Sequence, residues 1–365
     1  MKRYGGVAST AGAVLLTASV VVVASLWPGS SGPPRPSAQA NPSKVTQLAP
    51  LPWPSRSAAP SGGRTPYQRA IDAAATRGLE VWLDVDLAQR WLQGPRLQGP
   101  RSFMGTIRRL APLARRPGVV GFKIADELGY QDGFQTAGEI RAFLADAAAG
   151  LRNIAPRKLI LADILVPELG CAEGVLASIV SSSMCAQQAR ARYPALSLSN
   201  VDTYVRSGDL DVVDLSTDLL PETTYETWGI TQAQAQRAAW RQVAILRWST
   251  YVRVQERHAL AHPDWYTGSI ADVQRDARIF ASIPLSEGAA GIDIWAWRQV
   301  EDGVVMRLMD PGLRPNALWR MLTGLHARGV ELYTSFTPSS VDRGIRPDMA
   351  RVAEVFTGVM VAAGV

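Results

Sequence analysis

Acidic residues follow apolar runs at several places along the chain: Asp84 and Asp86, Asp126 and Glu127, Asp163, Asp218, and Glu256. Two carboxyl groups facing each other across a sugar, one protonated and one ionised, are what cleavage of a glycosidic bond requires. Trp295 and Trp297 close another apolar run, and a tryptophan face suits the C–H face of a pyranose ring. The eleven tryptophans of the chain favour the same chemistry. Tyr225 and Trp228 lie where a substrate wall is expected, while Trp82 and Trp240 read as core.

These residues need a frame, and the pattern supplies one. From residue 65 onward, helical periodicity alternates with short apolar runs, the signature of a mostly parallel α/β architecture. Strands are predicted at residues 79–86, 119–125, 158–165, 210–215, 251–255 and 291–297. Each is joined to the next by a segment that carries a helix, as at 103–115, 137–153, 231–248 and 270–282. An eight-stranded (β/α) barrel takes about 250 residues and places its active site at the carboxyl ends of the strands. The acids named above fall at those ends. An early strand is not evident; residues 44–49 are one candidate, and otherwise the barrel is incomplete at its start. An open doubly wound sheet would carry a glycine-rich phosphate turn after its first strand. Neither GxGxxG nor GxxxxGK occurs, so the barrel is preferred and no cofactor is expected.

With residues 291–297 counted as the eighth strand, Glu127 ends the fourth and Glu256 the seventh. In this layout the chain resembles the clan A glycoside hydrolases, through Ala125-Asp126-Glu127, Val254-Gln255-Glu256 and Ile294-Trp295. The resemblance spans residues 79–300. It implies a retaining mechanism in which Glu127 protonates the leaving oxygen and then activates water. Glu256 attacks the anomeric carbon, and Trp295, with Trp297, floors the cleavage point. The clan carries Asn before the acid/base Glu and often Pro after it; here Asp126 and Leu128 take those places. Asp126 brings a second negative charge beside Glu127, which tends to raise the Glu127 pKa as a general acid needs. Asp84, Asp126 and Asp163 are further substrate-contact candidates, and Asp163, Asp218 and Asp293 stand in reserve for the role given to Glu256.

Each residue also has a structural reading. Glu127 could cap a helix or form a surface ion pair. Glu256, within Gln255-Glu256-Arg257-His258, could sit at the end of the helix that starts at 231. Trp295 and Trp297 share one strand face and could both be core. His258 and His262, four residues apart near Glu256, and the pair Asp84/Asp86 have the residue types of metal ligands. Pro263 follows the histidines directly, and no metal site is expected. The repeated Leu-Gln-Gly-Pro-Arg at 92–101 reads as a loop duplication. A non-catalytic carbohydrate-binding barrel is the alternative function, and a metal-dependent hydrolase built on the strand-end aspartates is a third.

The termini and the charge set the remaining limits. Lys2 and Arg3 precede an uncharged apolar stretch over residues 11–27, the pattern of a signal peptide or membrane anchor. Ala38-Gln39-Ala40 offers a cleavage site. Residues 28–64, rich in Pro, Ser, Ala and Gly, read as a linker, residues 65–330 as the barrel, and residues 331–365 as a C-terminal extension with a helix. A secreted or outer-face-anchored protein is therefore expected, with Cys171 and Cys185 joined as a disulfide. The net charge of +6 comes from arginines interspersed with acids, and no basic run with interleaved aromatics occurs, so nucleic acid is not expected as a partner. Carbohydrate is the expected partner, membrane contact is confined to the N-terminal segment, and a monomer is expected.

Overall fold

A computed structural model of the chain describes residues 64–94, 98–130, 132–173, 180–248, 251–257, 260–263, 269–301 and 303–363, without the side chains of Glu256, Arg257 and Glu301. All of them belong to the unit Ala58–Val365. The expected leader, the linker up to residue 63, the candidate strand at 44–49 and His258 lie outside the described residues. Among those that are described, no helix is long and apolar enough to cross a membrane.

Eight parallel strands close into a barrel: β1 Glu80–Asp84, β2 Val119–Lys123, β3 Leu159–Leu165, β4 Val212–Ser216, β5 Tyr251–Arg257, β6 Gly291–Trp295, β7 Glu331–Phe336 and β8 Gly358–Ala362. They neighbour one another in chain order, and β1 closes the ring on β8 with Glu80 opposite Gly358 and Asp84 opposite Ala362. The barrel is thus complete. Its closing strands come from the segment 331–365, which is part of the barrel and not an extension; the predicted helix there is Ile345–Val352, between β7 and β8. The strand numbering shifts accordingly. Glu127 follows the second strand, Glu256 lies on the fifth, and Trp295 ends the sixth.

Local sequence fixes the helix starts. Thr65 with Gln68, Thr136 with Glu139, Thr231 with Gln234 and Ser269 with Asp272 each form a reciprocal capping box. Two otherwise orphaned N–H groups are satisfied in each, and the direction of the helix is set. The helix that begins at Gln232 ends at Leu246, where Arg247 takes a left-handed conformation. Glu256 is therefore on a strand and not on a continuing helix.

Strand alternation divides the apolar side chains into two layers. Val81, Leu83, Ile160, Ala162, Val213, Leu215, Val254, Ile292, Ile294, Leu332, Val359 and Val361 pack outward against the helices. Their neighbours Trp82, Leu161, Val212, Tyr333 and Met360 form a separate cluster, which fills the floor of the barrel as expected for inward positions of a small barrel. A small antiparallel sheet of His262–Pro263, Arg298–Glu301 and Val304–Arg307 stands beside it.

Candidate active site

Above the apolar floor the lumen turns polar. Lys123, Asp163, Asp214, Arg253, Gln255 and Asp293 are all buried there. Their strands hold them in register, Asp163 beside Asp214, Asp214 beside Arg253, and Gln255 beside Asp293. The Arg253 guanidinium donates to both oxygens of Asp214, Nε to Oδ1 at 2.7 Å and Nη2 to Oδ2 at 2.8 Å. It also stacks 3.9 Å from the centre of the Tyr333 ring. This fork-on-carboxylate geometry is what makes an ion pair tolerable away from water. Burial raises the pKa of Asp293 above the usual carboxylate range and the neighbouring Asp214 adds to the shift, against the pull of Lys123 and Arg253. The Gln255 amide finds no hydrogen-bond partner among the described residues, so this level of the lumen keeps both a donor and an acceptor available.

The ionic layer connects to the mouth through Lys123. Its ammonium group donates to Asp126 Oδ1 at 2.9 Å, and Asp84, opposite it in register on β1, adds to the field around it. Asp126, 49% exposed, is held by a buried lysine, and Glu127 follows it. Asp86 is not a strand-end ligand: its Oδ1 accepts from the N–H of Gln89 and caps the helix Leu87–Gln93. Although exposed to solvent, the Asp86 carboxyl is raised above its ordinary pKa, chiefly by desolvation, with Asp126 and Asp132 adding repulsion.

Glu127 and Asp218 are the two mouth acids with special backbones. Each leaves its strand with positive φ, 48° and 49° respectively. That conformation is disfavoured for residues bearing a Cβ, and it concentrates where surrounding structure fixes a functional group. Asp218 is wedged by Gly170: a Cβ on that glycine would lie 2.2 Å from the Asp218 carbonyl oxygen. Desolvation pushes the Asp218 pKa up to about 6, against the opposing pull of Arg192. Tyr130 joins the two acids. Its hydroxyl pKa is raised chiefly by burial, and further by the neighbouring Tyr193 and the charges of Asp218 and Glu127. The Tyr130 and Tyr193 rings lie 5.0 Å apart at 36°, and the Arg192 guanidinium sits 5.2 Å over the Tyr193 ring.

The remaining candidates separate clearly. Asp163 is on the lumen face of β3 and fully buried. Trp295 is half-buried at the end of β6, paired in register with Arg257. Glu256 pairs with the outward-packed Ile294 and so takes the strand face that alternates with the lumen residues Arg253 and Gln255. Trp297 does not floor the site: it is buried, donates Nε1–H to Asp348 at 3.0 Å and packs edge-on to Trp319. Tyr225 forms no substrate wall either. It is fully buried, with its hydroxyl donating to the Gly170 carbonyl and accepting from the N–H of Leu220. Trp228 packs edge-on against it. Trp82 and Trp240 are core, as expected. The Cys171–Cys185 disulfide is formed. His262 is engaged by Asn316 at 3.1 Å.

Sequence reasoning missed Asp214, Arg253 and Gln255 in the lumen and Tyr130 and Tyr193 at the mouth. For Asp214 the signal was present: a lone charge inside the run Val-Val-Asp-Leu marks the inward face of a strand whose other face is apolar. The tyrosines come from different crossovers, and no sequence spacing joins them.

No protein-family model matches the chain, and no curated protein matches it. Among solved structures it is similar to the β-1,4-mannanase of the sea hare Aplysia kurodai, with 11% identity over 78% of this chain and 89% of that one, at a TM-score of 0.40. It is similar to 2,3-dimethylmalate lyase of the PEP mutase/isocitrate lyase superfamily, with 14% identity over 82% and 80% of the two chains at 0.38. It is also similar to the carboxyl transferase domain of Rhizobium etli pyruvate carboxylase, with 12% identity over 80% and 42% at 0.38. Likeness at this level reaches proteins of different chemistry and assigns none of it to this chain.

Proposed function

We propose that the barrel is a glycoside hydrolase that works at the carboxyl ends of its strands on a poly- or oligosaccharide, outside the cytoplasm. In this reading the N-terminal 27 residues act as leader or anchor, and substrate reaches the mouth without a cofactor. The observation that supports the reading best is the placement of Glu127: a glutamate held in a left-handed backbone at the end of β2, three strands from the one that bears Glu256, with Trp295 one strand further. The resemblance to clan A implies the same angular order, from strand four to seven to eight. A closed ring preserves that order when the chain enters two strands later.

The chemistry is a double displacement. An ionised carboxyl group on the lumen side attacks the anomeric carbon, the glycosidic C–O bond breaks, and the leaving oxygen takes the proton of Glu127. Water then gives a proton to Glu127 while its oxygen displaces the attacking carboxylate, returning both carboxyl groups to their starting states. The strand position of Glu256, which alternates with the lumen residues Arg253 and Gln255, does not favour it for the attack. Lys123 holds Asp126 aside by an ion pair, so the residue that replaces the clan's asparagine is turned to the lysine. The test is release of reducing ends by Glu127→Gln, expected to fall about 10²–10⁴-fold as for loss of a general acid. Unchanged affinity with no turnover in the wild-type chain would instead identify a carbohydrate-binding barrel.

A further inference from the structure

The aromatic residues expected to hold substrate, Tyr225 and Trp297, are buried in the scaffold. The mouth nevertheless has an aromatic wall, on the side where the crossovers after β2 and β3 meet the end of β4. Tyr130 and Tyr193 are each half-buried and present rings 5.0 Å apart. Arg192 lies at one end of this wall and acts electrostatically on Asp218. Asp218 and Glu127 both act on the Tyr130 hydroxyl at the other.

We propose that Tyr130, Tyr193, Arg192 and Asp218 form a binding subsite for the sugar unit next to the bond being cleaved, selective for a neutral pyranose with adjacent hydroxyl groups. A tyrosine face takes the apolar C–H face of the ring. A guanidinium that only donates, set near a carboxyl group that accepts, matches the donor–acceptor pairs of neighbouring hydroxyls. The subsite is preformed. Gly170 backs the Asp218 carbonyl, the Gly170 carbonyl is held by Tyr225, and the adjacent disulfide ties Cys171 to the helix Val180–Arg192 that delivers Arg192. The groups facing Asp218 are Arg192, Tyr130 and Tyr225. This inference rests on the glycoside hydrolase reading and adds the location and chemistry of one subsite.

The experiment is calorimetric titration of the full chain carrying Glu127→Gln with four neutral hexasaccharides: cello-, manno-, xylo- and chitohexaose. Adding Tyr193→Ala is expected to weaken binding of the best hexasaccharide about tenfold, the size of one lost stacking contact, while Tyr193→Phe stays within about twofold. Arg192→Ala, at an exposed position, is expected to cost about fivefold and gives a second reading if Tyr193→Ala fails to fold. Binding by Tyr193→Ala and Arg192→Ala as tight as by the parent would overturn the subsite and leave the hydrolase reading standing. If the wild-type chain neither binds nor cleaves any of the four, the hydrolase reading falls and the subsite with it.

Discussion

Glu127 and Asp218 leave β2 and β4 in matching left-handed conformations, φ 48° and 49°, and both carboxyl groups act on the hydroxyl of Tyr130. Neither residue has glycine's freedom, so the surroundings must hold each backbone against its preference. Two such residues at one mouth mark a site maintained at some cost in stability.

That cost is measurable at Asp218. Its folded-state pKa, about 6, lies above the ordinary value of 3.8. The protonated form is therefore favoured by folding; its contribution is fully present below pH 3.8 and is lost as pH rises through about 6. Asp218→Asn stays neutral, and Asn tolerates the left-handed conformation. The variant is expected to be more stable than wild type by about 1–3 kcal/mol at pH 8 and equal to it near pH 3.5. Urea unfolding at the two pH values checks this; equal stability at pH 8 would mean that the carboxylate is solvated.

In the lumen, Arg253→Met leaves Asp214 buried without its fork of donors. A loss of about 3–5 kcal/mol is expected, read as a lower urea midpoint. Removing both charges in Asp214→Leu/Arg253→Met is expected to recover most of it, because the pair's worth lies in mutual compensation. A single variant as stable as wild type would contradict the ionic layer.

The disulfide closes a loop of sequence separation 14. Replacing both cysteines with serine is expected to lower stability by about 3 kcal/mol. If the segment it ties also positions Arg192, affinity for the best hexasaccharide falls in the same variant. Thermal melts and titration of one preparation read both effects.

The barrel was legible in the sequence because its strands are short apolar runs between capped helices, as at Val119–Lys123 and Gly291–Trp295. Its closure was not. The Gly358–Ala362 run is continuously apolar, and Glu331–Phe336 alternates without a terminal acid, so neither resembled the strands that carry candidate chemistry. Depth in the lumen was also hidden. Periodicity tells which face a residue occupies, but not whether Asp163 or Asp214 sits at the mouth or below it. Tyr130 and Tyr193, 63 positions apart in the numbering, meet only when the crossovers fold.

The most direct test of the central claim is proton NMR of anomeric products from the four hexasaccharides, with wild-type chain and Glu127→Gln side by side. The account predicts that wild type cleaves at least one of them with retention of anomeric configuration and that Glu127→Gln is slower by about 10²–10⁴-fold. Cleavage by Glu127→Gln at the wild-type rate, or no cleavage by wild type, would contradict it.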